Sequence, residues 1–353
     1  MNLGLLACFL DPVSQEVVGV YDNFIVYANP AAKSSFGKNI CGMPKDKLFP
    51  ADMFCEEKTP YSCTANIAGR PSLVYMTRKS QISLFYITDV SNKNPLRITP
   101  NMTNYLRNCA SGLKMSADLC FESGESAPHY VSLLYRNYYC LLRAIRQIDS
   151  AVRLNISESP INTKATDLVR LCYELTDTIA KLSHADVDIK FDCNESSAVA
   201  AIDPQSIEII LLNLFSNSLK YTSSGDSICL SLTKASGNIL ISFYDTGAGI
   251  PEDRLSSVFR IDKFGFELSN PNAGLGLGLF ISDALIRLHK GVILIESREG
   301  EGTHVRIKIP ANGQPSSKSA AKEISYRSIG INSILTALSD VLESSCYGLK
   351  FED

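Results

Sequence analysis

"DPQSIEIILLNLFSNSLKYT", residues 203–222, decides how the C-terminal half of this chain is read. It reads as a helix on which Asn213, Asn217 and Lys220 follow at steps of four and three, so all three share one face. An amide oxygen is a suitable hard ligand for magnesium, which needs few protein ligands when phosphates supply the others. A lysine one turn on pairs with phosphate. Taken alone, Asn and Lys on a helix are as readily a solvated face.

Two further motifs change that balance. "ISFYDTGAGIP", residues 241–251, is a buried strand ending at Asp245, followed by Gly247 and Gly249, which let the backbone turn sharply and approach a flat ligand. A carboxylate there can accept from an exocyclic amine such as that of adenine. "AGLGLGLFISDALIRLHKG", residues 273–291, places Gly274, Gly276 and Gly278 before a strongly apolar helix, so bare amides at a helix start face an anion. A lone glycine-rich loop is weak evidence. The three motifs in order within about seventy residues are not.

This arrangement resembles the ATP-binding domain shared by sensor histidine kinases, gyrase-type ATPases and their relatives, and the kinase branch fits best. "LLNLFSNSLKYT" resembles its N box, "DTGAGIP" its G1 box and "GLGLGLFI" its G2 box, while "RLSSVFRIDKF" stands where kinases carry an aromatic segment under a mobile lid. "LIRLHKGVILIESREGEGTHVRIKIP" matches the closing helix, strand and hairpin. The resemblance implies that Asn217 holds magnesium, that Asn213 and Lys220 contact phosphate, and that Asp245 reads adenine. It also implies that Gly247 and Gly249 shape the purine pocket and that Gly274, Gly276 and Gly278 form a lid hinge. ATP and Mg2+ are the implied ligands. In the ATPase branch the position of Asn213 is a glutamate acting as general base; an amide cannot take that proton, so rapid hydrolysis is not expected.

Upstream lie two helical runs. In 101–120, Met102, Leu106, Cys109, Leu113, Ala117 and Cys120 recur at three- and four-residue steps, and in 128–153 so do Val131, Leu134, Tyr138, Leu141, Ile145, Ile148 and Val152. This is a heptad seam, with the polar turn "FESGESAP" between its halves. Two such hairpins packed as a four-helix dimer bury it; packing on the chain's own other domains is the alternative. In histidine kinases the first helix carries the phosphoacceptor in a pattern close to Asn-Val-Ser-His-Glu-Leu-Arg-Thr-Pro-Leu. Here the stretch reads Asn101-Met102-Thr103-Asn104-Tyr105-Leu106-Arg107-Asn108-Cys109-Ala110. Asn104 replaces the histidine and Tyr105 its acidic neighbour. Position 104 lies about 200° around the helix from Met102 and Leu106 and is expected to face solvent. The resemblance makes Asn108 a residue that positions water for dephosphorylating a response regulator.

Residues 1–93 alternate short strands and turns. "FIVYANPAAKSSFG" gives a strand, a helix start at Asn29-Pro30 and a stop at Gly37; "SLVYMTRKSQISLFYITDV" gives two strands broken at Lys79-Ser80. The pattern resembles a PAS sensor domain. The tail, 312–353, is a polar linker followed by a run with Ile331, Ile334, Leu335, Leu338 and Leu342 on one face, expected to pack on an earlier domain.

The expected fold class is therefore α+β multidomain: a PAS-like domain (1–93), a two-helix dimerisation hairpin (94–157), a GHKL-type α/β sandwich (158–311) and the tail. A net charge of −3 with no basic block argues against a nucleic-acid partner. Eleven cysteines without a CxxC pair read as reduced thiols, and no uncharged run reaches membrane-spanning length, so a cytoplasmic protein off the membrane is expected. The expected function is that of an ATP-binding, histidine-kinase-type signalling protein of a two-component system, homodimeric through 101–153, with a separate response regulator as partner. Its own autophosphorylation is in question at Asn104 and Tyr105. The rival readings are a non-catalytic ATP-gated module and a response-regulator phosphatase.

Overall fold

The computed structural model describes residues 7, 10–50, 60–79, 81–90, 100–122, 127–156, 161–183, 187–235, 237–259, 274–311 and 331–347. Residues 260–264 of the segment expected under the lid, the linker from 312 to 330, the turn at 123–126, Ser80, Cys55 and His184 lie outside them. The chain falls into two compact units. The first comprises 1–94, 249–258 and 292–305; the second comprises 95–248, 259–291 and 306–353.

The first unit is built on an antiparallel sheet. Its strands are β1 (Glu16–Tyr21), β2 (Phe24–Ala28), β3 (Tyr61–Ile67), β4 (Arg70–Lys79), β5 (Ile82–Asp89) and β11 (Val292–Arg298), in the order β2-β1-β5-β4-β3-β11. Val18, Ile25, Phe49, Tyr61, Val74, Phe85 and Ile87 form its core. The β2 strand runs into α1 (Pro30–Phe36), with Pro30 in the first turn and Gly37 closing it at φ 107°, and a one-turn helix, α6 (Glu252–Leu255), also belongs to this unit. Asn29 sits at that junction, fully buried. Its Oδ1 accepts from Val17 N–H at 3.0 Å and from Ala32 N–H at 2.9 Å, the second bond capping α1. Its Nδ2 donates to the carbonyls of Leu10, Val13 and Gln15 at 3.3, 3.0 and 2.8 Å. One side chain thus fixes the chain before β1, the start of β1 and the start of α1.

The second unit opens with two long antiparallel helices, α2 (Pro100–Glu122) and α3 (Ala127–Ile156). Asn137 donates to Ser116 Oγ at 2.8 Å between them. The periodicity placed Val131, Leu134, Tyr138, Leu141, Ile145, Ile148 and Val152 on one seam. Of these, Tyr138, Ile145 and Val152 are exposed, at 49%, 54% and 37%. The face that α3 buries within this chain is another one, carrying Ser132, Arg143, Ala144 and Ala151. On α2 the buried line is Met102, Cys109 and Ser116, and Asn104 lies on the side away from it, of intermediate exposure, with its contact to Arg107 open to solvent.

The α/β part follows. Strands β7 (Asp188–Cys193), β9 (Ser227–Ala235), β10 (Asn238–Asp245) and β12 (Gly302–Pro310, whose residues 306–310 belong to this unit) lie in the order β12-β10-β9-β7. β7 runs parallel to β9, and β9 antiparallel to β10. Helices α4 (Leu168–Leu182) and α5 (Pro204–Tyr221) pack with this sheet, Phe215 meeting Phe243 edge to face at 4.9 Å, and α7 (Gly278–Leu288) packs on α5. A small sheet of β6 (Lys164–Asp167) and β8 (Val199–Ile202) completes it. The tail forms α8 (Ile331–Ala337) and a 3-10 turn (Ser344–Tyr347) that bury Ile334, Leu335, Leu338, Leu342 and Tyr347 on α3 and α5. Every described cysteine is a free thiol, and no described helix is long and apolar enough to cross a membrane.

Because Asn29 satisfies five backbone groups at once, Asn29→Ala orphans buried donors and acceptors and should cost roughly 3 kcal/mol, each such group being worth about 1–3 kcal/mol. Asn29→Asp keeps the two accepted bonds but sets a carboxylate against three carbonyls, so it should rescue little. Chemical denaturation followed through the first unit checks both; wild-type stability in Asn29→Ala would show that the network carries no weight.

Candidate functional site

The α5 helix begins at Asp203, whose carboxylate accepts from Gln205 N–H at 3.1 Å and Ser206 Oγ–H at 2.9 Å. His289 Nε2 accepts from Asp203 N–H at 3.0 Å, which gives that histidine a structural place. From there α5 is buried along nearly its whole length, so each polar side chain on it must find a partner.

Asn213, 7% exposed, donates to Gly278 O at 3.2 Å and Ser282 Oγ at 3.3 Å, tying α5 to the first turn of α7. Gly278 lies against this amide: a Cβ there would stand 3.4 Å from Asn213 Cγ and Oδ1. Asn217 is half-buried one turn on. Lys220 is almost buried, and Gly274 is packed against it, a Cβ there standing 3.0 Å from Lys220 Nζ. Gly276 has φ 72°, the left-handed region that favours glycine. The helix face expected from the spacing and the glycine-rich loop are thus in contact.

Asp245 ends β10, 5% exposed. Its Oδ2 accepts from Ser218 Oγ–H at 2.6 Å and its Oδ1 from Gly247 N–H at 3.1 Å. The carboxylate is therefore held in place from α5, next to Asn217. At Gly247 a side chain would overlap the Tyr221 carbonyl oxygen, which already accepts from Ala248 N–H at 2.9 Å. Gly249 belongs to the first unit, where it has φ 68° and a Cβ would overlap Arg298 O.

The structure adds residues that the motifs do not name. Arg143 of α3, 8% exposed, donates through Nη2 to Ser216 Oγ at 2.8 Å and through Nη1 to the carboxylate of Asp340, in the tail. That same carboxylate pairs with Lys220, and Ser216 Oγ lies 3.4 Å from its Oδ1. A Cβ on Gly274 would lie 3.5 Å from Asp340 Oδ2. Burial first, and then the like charge of Arg143, pull the Lys220 ammonium down to about 7. The Asp340 carboxylate lies within ion-pair reach of both cations. The signal for Arg143 in the sequence is faint. It sits two residues from both Leu141 and Ile145, about 200° from each, where the seam alone predicts solvent.

The donor set suits magnesium only in company. Asn217 supplies one amide oxygen, and no cluster of three His, Cys, Asp or Glu side chains occurs among the described residues. A magnesium ion there would take its remaining ligands from phosphates and water, and Lys220 and Arg143 are the cations such phosphates require.

On the hairpin, Tyr105 stands where a general base is expected in the family pattern. Burial, then the neighbouring Cys140 and Cys109, push its phenol up. Asn108 is exposed, and Arg107 lies 3.5 Å from Asn104 Oδ1. His304 lies 3.5 Å from the buried Glu296, and His129 is exposed at the start of α3.

Comparison with known proteins bears on this site. Residues 202–313 match the family described as "Histidine kinase-, DNA gyrase B-, and HSP90-like ATPase". The chain is 29% identical over 199 residues to the sensor histidine kinase TmoS of Ectopseudomonas mendocina, covering 54% of this chain and 20% of that one. It is 29% identical over 168 residues to the adaptive-response sensory kinase SasA of Synechococcus sp. (strain JA-3-3Ab), covering 47% and 44%. The chain thus spans less than half the length of these relatives. Among solved structures, the histidine kinase ThkA in complex with response regulator protein TrrA aligns over 86% of this chain and 97% of that one, at 18% identity and a TM-score of 0.46. Residues 202–313 are an ATP-binding domain of the histidine kinase, DNA gyrase B and HSP90 type, and the curated relatives that the chain resembles are sensor histidine kinases.

Proposed function

We propose that this chain is a dimeric, histidine-kinase-type signalling protein that binds Mg-ATP but does not phosphorylate its own hairpin. One observation carries the ATP site: Asn213 and Lys220, on the face of α5 that Asn217 shares by spacing, meet the Gly274–Gly278 loop, and Asp245 is held by Ser218 of the same helix. On this reading Asn217 holds magnesium, Asn213 and Lys220 contact phosphate, and Asp245 accepts from the adenine amine. Gly247 shapes the purine pocket, and Gly274, Gly276 and Gly278 hinge the lid. The phosphoacceptor is missing, because an amide at Asn104 is no nucleophile and a buried phenol at Tyr105 is no base near neutral pH.

The order β2-β1-β5-β4-β3, with a helix straight after β2, supports a PAS-like sensor in the first unit. The stripe of Tyr138, Ile145 and Val152, one residue every seventh, supports a four-helix dimer through 101–153. A cytoplasmic setting and a separate response regulator as partner complete the reading. The exposed Asn108 keeps a regulator phosphatase as the second reading.

Incubation with γ-labelled ATP should leave no acid-labile label on the wild-type protein, although calorimetry shows Mg-dependent ATP binding. Asn217→Ala should remove the magnesium dependence, and Asp245→Ala the preference for ATP over GTP, each at about 1–3 kcal/mol. Asn104→His with Tyr105→Glu restores nucleophile and base and should gain label that Asn217→Ala abolishes. Label on the wild-type protein mapped to His129 would mean an active kinase with a relocated acceptor.

For the dimer, Tyr138→Asp with Ile145→Asp changes two exposed side chains, so each chain should stay folded. Light scattering should then read half the wild-type mass, since buried unpaired charges cost several kcal/mol. A wild-type protein of monomeric mass would leave the stripe without a partner.

A further inference from the structure

The tail ends in the place where the ATP reading needs phosphate. Asp340 brings one carboxylate to two cations, Arg143 and Lys220, that are each about 10% exposed on their side chains. It does so beside Gly274, the first glycine of the loop expected to close over nucleotide. Carboxylate and phosphate oxygens are taken by the same guanidinium and ammonium donors, so one group stands in for the other. The charges are also unequal. Arg143 is always cationic and Lys220 carries a second charge when protonated, so together they exceed the one carboxylate, and a polyphosphate neutralises them more fully than Asp340 does.

The carboxylate is not a stray contact, because the segment that carries it is docked in detail. Leu335, Leu338 and Leu342 are buried, and Tyr347 donates to Leu335 O at 2.9 Å, folding the segment upon itself. Ser339 O accepts from Arg136 Nε at 3.3 Å and from Cys140 Sγ at 3.3 Å, both on α3. Ser333 donates to the buried Glu208 of α5 at 2.8 Å. The tail therefore bridges α3 and α5 and aims the Asp340 carboxylate at the cations between them.

We propose that residues 331–347 are an internal competitor of nucleotide, with Asp340 holding the place of the ATP phosphates on Arg143 and Lys220. Mg-ATP and the docked tail are mutually exclusive, and Arg143 passes from Asp340 to phosphate when the tail leaves. Because the tail is covalently attached, it competes at a high effective concentration, and ATP binds the undocked form only. Release of the tail then uncovers the apolar surface of α3 and α5 that Leu335, Leu338 and Leu342 cover, so nucleotide occupancy is converted into an exposed surface. The proposal rests on the ATP reading above and adds a regulator to it.

The test uses the full chain and a fluorescent ATP analogue with magnesium, displaced by ATP. Leu338→Glu undocks the tail without touching the cations; Asp340→Asn removes the competing charge. Each should tighten ATP binding on the order of tenfold over wild type, the scale of ordinary coupling between sites. Adding Arg143→Met to Leu338→Glu should weaken binding again. Hydrogen exchange on the wild-type chain needs no substitution: Mg-ATP should speed exchange across 333–347. If ATP binds wild type and both single variants alike while exchange at 333–347 does not change, the competition does not exist. If no form of the protein binds ATP, the ATP reading itself falls, and the competition with it.

Discussion

A helix buried along nearly its whole length can carry polar side chains only where a partner satisfies them, and five of those on α5 are met by other elements downstream or upstream in the chain. Glu208 is met by Ser333 of the tail, Asn213 by the first turn of α7, and Ser216 by Arg143 of α3. Ser218 is met by Asp245 at the end of β10, and Lys220 by Asp340 of the tail. The five pairings reach four other parts of the second unit, the tail twice, so the polar positions of one helix dictate where the hairpin, the sheet, the glycine-rich loop and the tail are set. The apolar positions supply most of the stabilisation, but they accept many neighbours. The polar ones accept few, and that is what makes the arrangement specific.

The ionic group at the end of α5 shows how such specificity is held. Burying Arg143, Lys220 and Asp340 costs each its hydration, and the mutual attraction returns that cost only while all three are present. Removing the carboxylate would leave Arg143 and Lys220 side by side without it, and burial and then Arg143 already hold the Lys220 ammonium below its ordinary value. A cluster with more positive than negative charge is a poor choice for stability alone. It is a good choice for a site whose anion is meant to be exchanged, and the proposed competition between tail and nucleotide follows from that imbalance.

How much of this the sequence announces depends on how local each feature is. The face of Asn213, Asn217 and Lys220 is legible because helical spacing fixes it within two turns, and Gly247 because a DxG turn after a strand leaves no room for a side chain. The strand, cap and helix around Asn29 are legible for the same reason, although its three carbonyl partners from 10 to 15 are not. Periodicity finds the stripe of Tyr138, Ile145 and Val152, but it assumes one apolar face per helix. The α3 helix has a second buried face, and its key member is an arginine that the seam sends to solvent. Asp340 is beyond such reasoning. Its partners on α3 and α5 stand far from it in sequence, and a lone Asp in an amphipathic run is ordinarily a solvated residue.

Arg143 also links the two departures from the kinase pattern. The Tyr105 phenol lies close enough to Cys140 and Arg143 for both to influence its ionisation, so the aromatic ring that took the general base's place borders the same α3 turn that reaches the phosphate cations. A transferable phosphate needs an acceptor able to approach the nucleotide and a base to take the acceptor's proton. At Asn104 and Tyr105 both are absent, and the α3 residue beneath them is committed to Asp340. On the proposed reading the hairpin makes no transfer but stays joined to α5 through Arg143 and Ser216. Binding, rather than transfer, is then the event that this coupling can report, and the tail is the element whose position reads it out.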